Sequence, residues 1–356
     1  MKTFHCDGCG NLVFFENVNC VKCGHALGFL PSGQELSALE PGNDGTWRAL
    51  ARDEAGQLFR FCDNARHQVC NWMVEAGDAN PFCRACRLNE LIPDISLPDN
   101  LTRWQKLETA KHRIIYTLLR LGLPMDAAPG EDRPSLRFKF AADLAGADPV
   151  VTGHADGVIT VNIAEADDVE RERRRLNLHE PYRTLLGHLR HEVSHYYWDR
   201  LIAGSKWLPR FRALFGDETA DYGAALDRYY KHGPPQDWQA RHVSAYASAH
   251  PWEDWAETGA HYFHIMDMVE TAGSFGMTLA PKHPSAETMT AIPQKAFDQN
   301  QNFDLVLKNW FPLTYALNSM SRGMGLSDVY PFVLSPAAIE KLEFIHEVMQ
   351  TTRKAK

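Results

Sequence analysis

All eight cysteines of this 356-residue chain fall before residue 87. The segments CDGC (Cys6, Cys9) and CVKC (Cys20, Cys23) are separated by ten residues, and each can bring two thiolates to one ion on a tight turn. Gly10 and Gly24 follow the two pairs and supply backbone freedom there. Four soft donors favour a closed tetrahedral zinc site. Cys62, Cys70, Cys83 and Cys86 form a second four-thiolate set, with a more widely spaced first pair and His67 as a possible substitute donor. Where thiols stay reduced, such pairs are metal thiolates rather than disulfides. The expectation is two structural zincs, which staple a region too small to be held by its own apolar core.

The remainder reads as a body of catalytic size. Across the whole chain, 44% hydrophobic and 11% aromatic content supplies a large core and excludes wholesale disorder. The opening MKTFHCDGCG lacks the apolar stretch of a secretory signal, and no run of 18 apolar residues occurs later in the chain. The cytoplasm is therefore the expected compartment, with no membrane partner. A formal charge of −8 argues against a nucleic-acid partner. A linker is expected at 91–100, then a helix over 101–121 stopped by Gly122 and Pro124. SLRFKFAAD (135–143) and GVITVNIAE (157–165) read as strands, forming a hairpin or neighbours in one mixed sheet. The mixed charges of 167–175 predict an exposed helix face or loop, and the chain beyond them is mostly helical in character.

LRHEVSHYYWD (189–199) carries the chemistry. On a helix over 184–200, His191 and His195 lie about 6 Å apart along the axis on nearly one face, so both imidazoles can meet one ion. Glu192 projects at an adjacent angle, free to act as general base toward an attacking water. His188, a turn earlier, reads as a supporting or exposed residue, and Tyr196, Tyr197 and Trp198 as anchors of this helix against the sheet. A catalytic zinc needs a third protein ligand and an open position. Glu253 and Glu257, four apart on a helix beginning after Pro251, are the best source: one can ligate while the other orients a ligand histidine. Asp254, His250 and His261 are the competing donors.

At these residues the chain resembles the HExxH zinc-metalloprotease superfamily in its gluzincin form. More closely it is similar to a bacterial family of zinc-binding metallopeptidases with an amino-terminal zinc ribbon. The likeness rests on the paired cysteines, HEVSHYYWD, DYGAALDRYY and HPWEDWAET. It implies Glu253 as the third ligand, Glu257 as the support of a ligand histidine, and Tyr246, seven residues before Glu253, as donor to the developing oxyanion. It also implies an edge strand that pairs with an extended peptide substrate, for which 157–163 is the candidate.

The expected fold is α+β: a zincin-like metalloprotease domain with a small mixed sheet and a predominantly helical carboxyl-terminal part, preceded by cysteine-rich zinc-ribbon modules. The expected boundaries are 1–30 for the first ribbon, 31–95 for the second cysteine-rich module and linker, and 96–356 for the peptidase domain. The leading function is a zinc-dependent peptidase holding one catalytic and two structural zinc ions, acting on a peptide or protein and able to meet a protein partner through its ribbons. The alternatives are a non-enzymatic peptide-binding scaffold and a nucleic-acid-associated ribbon protein. Near the end, Arg322 reads as a surface arginine or a contact for a substrate carboxylate, and Ser335-Pro336 as entry to a last helix.

Overall fold

The computed structural model describes residues 1–127, 130–131, 133–143, 146, 148–177, 184–282, 290–293 and 302–354. The chain separates into two units. One comprises Met1–Arg120, Leu136–Gly153 and Val158–Arg171; the other comprises Leu121–Ser135, His154–Gly157 and Glu172–Lys356. The architecture is α+β, β-rich at the amino end and predominantly helical at the carboxyl end.

In the first unit, β1 (Phe4–His5) and β2 (Leu12–Val13) pair antiparallel around the first cysteines. A five-stranded meander comes next, in the order β3 (Ala26–Leu30), β4 (Glu35–Pro41), β5 (Trp47–Ala49), β6 (Leu58–Phe61) and β7 (Met73–Glu75). Its first and last strands meet. The Phe29 amide donates to the Asn71 carbonyl at 2.9 Å, and Phe29 bridges to Trp72, so the meander curls into a small barrel. Leu30, Leu39, Ala49, Phe59 and Met73 fill it. Gly28 leaves room for Met73 there: an added Cβ would stand 2.4 Å from Met73 Sδ.

The second sheet runs β8 (Asn89–Leu91), β9 (Arg137–Ala141), β11 (Val158–Asn162), β10 (Gly153–Ala155). The pairs β8–β9 and β9–β11 are parallel, so a crossover must join β8 to β9. The expected helix supplies it as α1 (Asn100–Arg120), which buries Trp104, Leu107, Ile114, Ile115 and Leu118 along one stripe. Phe138 and Phe140 on β9, with Ile159 and Val161 on β11, alternate inward as the period of two demands. The two anticipated strands are thus parallel neighbours in a mixed sheet rather than a hairpin. The substrate-edge expectation for 157–163 is corrected: β11 has β9 on one side and β10 on the other, so its backbone groups are already paired. The edge belongs to β10, which the two-residue turn Asp156-Gly157 (φ 48° and 79°) joins to β11.

The helix α2 (Asp168–Asn177) carries the mixed-charge run. In the second unit, α3 (Leu185–Leu201) is buried continuously from Leu189 to Tyr197, and the Thr184 hydroxyl caps it by accepting from the Gly187 amide at 3.0 Å, an interaction typically worth about 1 kcal/mol. Shorter helices come after it: α4 (Leu208–Phe215), α5 (Tyr222–His232) and the single turn α6 (Trp238–Arg241). The 24-residue α7 (Pro251–Ser274) starts with proline at its first position, where no amide partner is needed. Among the described residues, α8 (Phe303–Gly323) and α9 (Pro336–Lys354) come last, and α7 packs against α3, α4, α8 and α9. The approach of α7 to α3 is close because residue 259 is glycine: a Cβ there would lie 2.4 Å from Ser194 Oγ. The Trp255 indole locks the same contact, donating to the Ser194 carbonyl at 2.8 Å. Of the aromatic anchors of α3, Tyr196 meets the sheet as expected, edge-on to His154 of β10, while Tyr197 and Trp198 are held elsewhere. Tyr196 and Tyr197 donate to carbonyls of Met125, Pro134 and Pro124, and Trp198 packs on Phe211 of α4.

Candidate metal centres

In the first cysteine set, Cys6 Sγ lies 3.5 Å from Cys23 Sγ, and Cys9 Sγ lies 3.6 Å from Cys20 Sγ. Thiolates bound at about 2.3 Å in a tetrahedron stand about 3.75 Å apart, so the four donors fit one ion. Each pair sits on a tight turn, closed by the Gly10 amide to the Cys6 carbonyl and the Gly24 amide to the Cys20 carbonyl, both 2.8 Å. Both glycines take positive φ there, 70° and 79°.

The second set is wholly buried. Cys70 and Cys83 sulfurs are 3.7 Å apart, and amides of Trp72, Cys83 and Cys86 donate to Cys70, Cys62 and Cys83 sulfurs at 3.3 to 3.4 Å. The neighbouring histidine is His112 of α1, not His67. His112 Nδ1 donates to the Glu108 carbonyl at 2.7 Å, and its Nε2 faces Cys70 Sγ at 3.4 Å. His67 instead takes a hydrogen bond from Arg66. A signal for His112 lay in the sequence: Glu108, Lys111 and His112 interrupt the apolar face of a helix, and all three are buried.

The third centre lies in the helical unit. His191 Nε2 and His195 Nε2 are 3.1 Å apart, and Glu253 Oε2 is 3.1 Å from the first and 3.6 Å from the second. Nitrogen and oxygen donors at 2.0 to 2.1 Å from a tetrahedral ion stand about 3.3 Å apart, which these spacings match. Glu253 Oε2 is buried without a hydrogen-bond partner among the described residues, as a ligand atom awaiting an ion would be. Pro251 starts α7 just before Glu253, and the Gly259 contact brings that turn to α3.

Each histidine is held differently. His191 Nδ1 donates to Glu257 Oε1 at 2.7 Å, and the Ser244 hydroxyl donates to Glu257 Oε2 at 2.6 Å. This orients the ring so that Nε2 faces the other donors. The His195 ring lies against Trp252, centroids 3.7 Å apart. Glu192 is buried beside them, 3.3 Å from His188 Nε2, with Oε2 lacking a hydrogen-bond partner among the described residues. Burial pushes its carboxyl up, but the His188 hydrogen bond and the charges of His191, His188 and His195 outweigh it, leaving it below the ordinary glutamate value. Glu192 is therefore ionised at neutral pH.

The competing donors are engaged elsewhere. Asp254 pairs with Lys341 at 2.6 Å and His242 at 3.0 Å; His261 Nδ1 meets the Tyr330 hydroxyl at 2.6 Å. His250 caps α7, accepting from the Trp252 amide. Tyr246 lies with its ring centroid 6.1 Å from that of His191. Two residues that reasoning from the sequence did not single out complete the surroundings. The Tyr222 hydroxyl donates to Glu253 Oε1 at 2.6 Å. His154 of β10 stands 3.7 Å from Asp199 and against Tyr196, and burial lowers it to about 4.

Residues 100–348 match a family described as "Putative zinc-binding metallo-peptidase". The chain belongs to this zinc-binding metallo-peptidase family. Residues 3–97 match a zinc-ribbon domain, so the two cysteine sets and the His191-Glu192-x-x-His195 motif each fall within a family region of matching chemistry. Uncharacterized proteins of Mycobacterium tuberculosis and Mycobacterium bovis are 41% identical to this metallo-peptidase family member over 350 residues, covering 98% of it and 95% of each relative. No solved structure matches the chain. Among the described residues, no helix is long and apolar enough to cross a membrane.

Proposed function

We propose that this protein hydrolyses peptide bonds at a zinc ion held by His191, His195 and Glu253, with two further structural zincs on Cys6, Cys9, Cys20, Cys23 and on Cys62, Cys70, Cys83, Cys86. The observation that carries the reading is the meeting of three donors from α3 and α7 with a fourth acid, Glu192, beside them and outside the donor set. Zinc in this centre supplies Lewis acidity and a water of lowered pKa. Glu192, ionised and buried, takes the proton of the attacking water and returns it to the leaving nitrogen. Glu257, fixed by Ser244, keeps His191 turned toward the centre. Tyr246, whose hydroxyl has no partner among the described residues, is assigned to donate to the developing oxyanion. The edge strand β10, carrying His154 beside α3, is the place for an extended substrate backbone to pair.

We assign residues 1–30 and 31–95 to the two cysteine-stapled modules and 96–356 to the peptidase body. The ribbon region is also where a protein partner would dock. Eight unbridged cysteines suit a reducing compartment, and we place the protein in the cytoplasm.

The test compares wild type and Glu192→Gln on a diverse peptide library, with zinc per chain counted in both. The expected outcome is three zincs in each and cleavage lower by about 10²–10⁴-fold in the variant. Peptide binding in both forms with cleavage in neither would make the protein a scaffold and end the peptidase reading.

A further inference from the structure

The carboxylate of Glu253 has its two oxygens directed to different partners. Oε2 faces the imidazole nitrogens of His191 and His195. Oε1 accepts a hydrogen bond from the Tyr222 hydroxyl at 2.6 Å. We propose that Tyr222 is a positioning residue of the metal centre, which restricts Glu253 to ligation through one oxygen and so keeps a coordination position open. The proposal rests on reading the centre as a peptidase site, because an open position matters only where water and substrate must enter.

A carboxylate with both oxygens unengaged can close onto an ion through both of them. Three single-atom protein donors leave a four-coordinate zinc one position for water, and a second oxygen from Glu253 would crowd that position by making the centre five-coordinate. A phenol on Oε1 competes with that closure without presenting a charge of its own.

The placement of Tyr222 is specific rather than incidental to a core. It is the first residue of α5, whose start is fixed by Asp221 accepting from the Ala224 amide at 3.0 Å. His250 joins that start to the start of α7: its Nε2 donates to the Ala220 carbonyl at 3.1 Å, and its Nδ1 accepts from the Trp252 amide at 3.1 Å. The Tyr222 ring then meets His250 and Trp252 edge-on, with centroids 5.2 and 5.7 Å away. Along its whole length α5 buries a single side chain, Ala225, and Tyr222 itself is 38% exposed. Apolar packing therefore does not account for a phenol directed at this carboxylate. Nor does Tyr246 duplicate it, since the Tyr246 hydroxyl makes no hydrogen bond among the described residues.

The test uses the full chain and reads the metal as well as activity. Zinc per chain is counted by native mass spectrometry, transfer of the most labile zinc to a chelator is timed, and cobalt is loaded into the His/Glu centre with zinc left on the cysteines. Tyr222→Phe keeps the ring and removes the donor. It is expected to hold zinc about 10–100-fold more weakly and to shift the cobalt absorption from four-coordinate toward five-coordinate character, whereas Tyr246→Phe changes neither. Tyr222→Gln keeps an N–H donor on a shorter side chain and should recover part of the lost affinity, which separates a missing donor from a disturbed α5. Wild-type affinity and spectrum in Tyr222→Phe would overturn the proposal, as would equal losses in the Phe and Gln variants. Metal effects as expected, with no peptide cleaved by any form, would support the positioning role while removing the peptidase reading. A wild-type chain holding two zincs would remove both.

Discussion

The second cysteine cluster and the His/Glu centre are both buried groups of metal donors, and they differ in what surrounds the donor atoms. Around the cysteines, backbone amides of Trp72, Cys83 and Cys86 point at sulfur, and all four thiols are sealed from solvent. Around His191, His195 and Glu253, side chains from distant parts of the helical unit orient the donors, and among the described residues buried oxygens of Glu192 and Glu253 are left without hydrogen bonds. A closed thiolate cage spends all its donors on holding the chain together. The mixed centre keeps polar atoms in reserve, and unsatisfied buried polar groups are tolerated where chemistry uses them.

The sharpest way to break the comparison is to remove one donor from each side. Cys86→Ser should release the second cluster's zinc and unfold the amino-terminal unit, because structural zinc supplies about 10–16 kcal/mol of apparent binding energy in small thiolate modules. Calorimetry with a zinc count checks this; a variant that keeps the wild-type transition would show that the barrel stands without its metal. Glu253→Gln is expected to lose one zinc and all cleavage with the rest of the fold intact, read by the same zinc count and by circular dichroism. Global unfolding there would show that the third centre is structural after all. A smaller effect is expected from Gly259→Val, since a Cβ meets Ser194 Oγ at 2.4 Å; a loss of about 1–3 kcal/mol in denaturant titration should appear as α7 is pushed from α3, with weaker zinc at the third centre and none lost from the cysteines.

The least effect is expected at the exposed Arg322–Asp328 pair, which engages the arginine that the sequence offers to a substrate carboxylate. Arg322 holds the Asp328 carboxyl below its ordinary value, so the pair's contribution is present at neutral pH and is lost as the pH falls through that depressed value. Arg322→Ala should lower the melting temperature slightly at neutral pH, and the difference from wild type should vanish in acid. A difference that grew in acid would reverse the sign of this assignment.

Much of the site was legible because its signals are local. The HExxH spacing places two imidazoles on one helical face whatever the rest of the chain does, and Cys-x-x-Cys pairs likewise bring two sulfurs together by turn geometry. The helix at 101–121 was legible for the same reason, its stripe of Trp104, Leu107, Ile114 and Ile115 ending at Gly122. The barrel was not. Its closure depends on Phe29 meeting Trp72, 43 positions later, while Gly28 leaves room for Met73, and neither leaves a periodic trace. Tyr222 was similarly hidden: DYGAALDRYY offers three tyrosines, and helical spacing does not say which one turns to Glu253.

The sequence by itself determined the kinds of donor atom, their grouping in short segments and the helices and turns that present them, since these are dictated by backbone geometry over a few residues. Only the tertiary structure decided that Glu253 rather than Asp254 faces the two histidines, that His112 rather than His67 stands by the second cluster, and that β10 rather than β11 is the sheet edge. Those choices are made by packing between segments far apart in the chain, where one glycine or one strand's place in the order settles which side chains can meet.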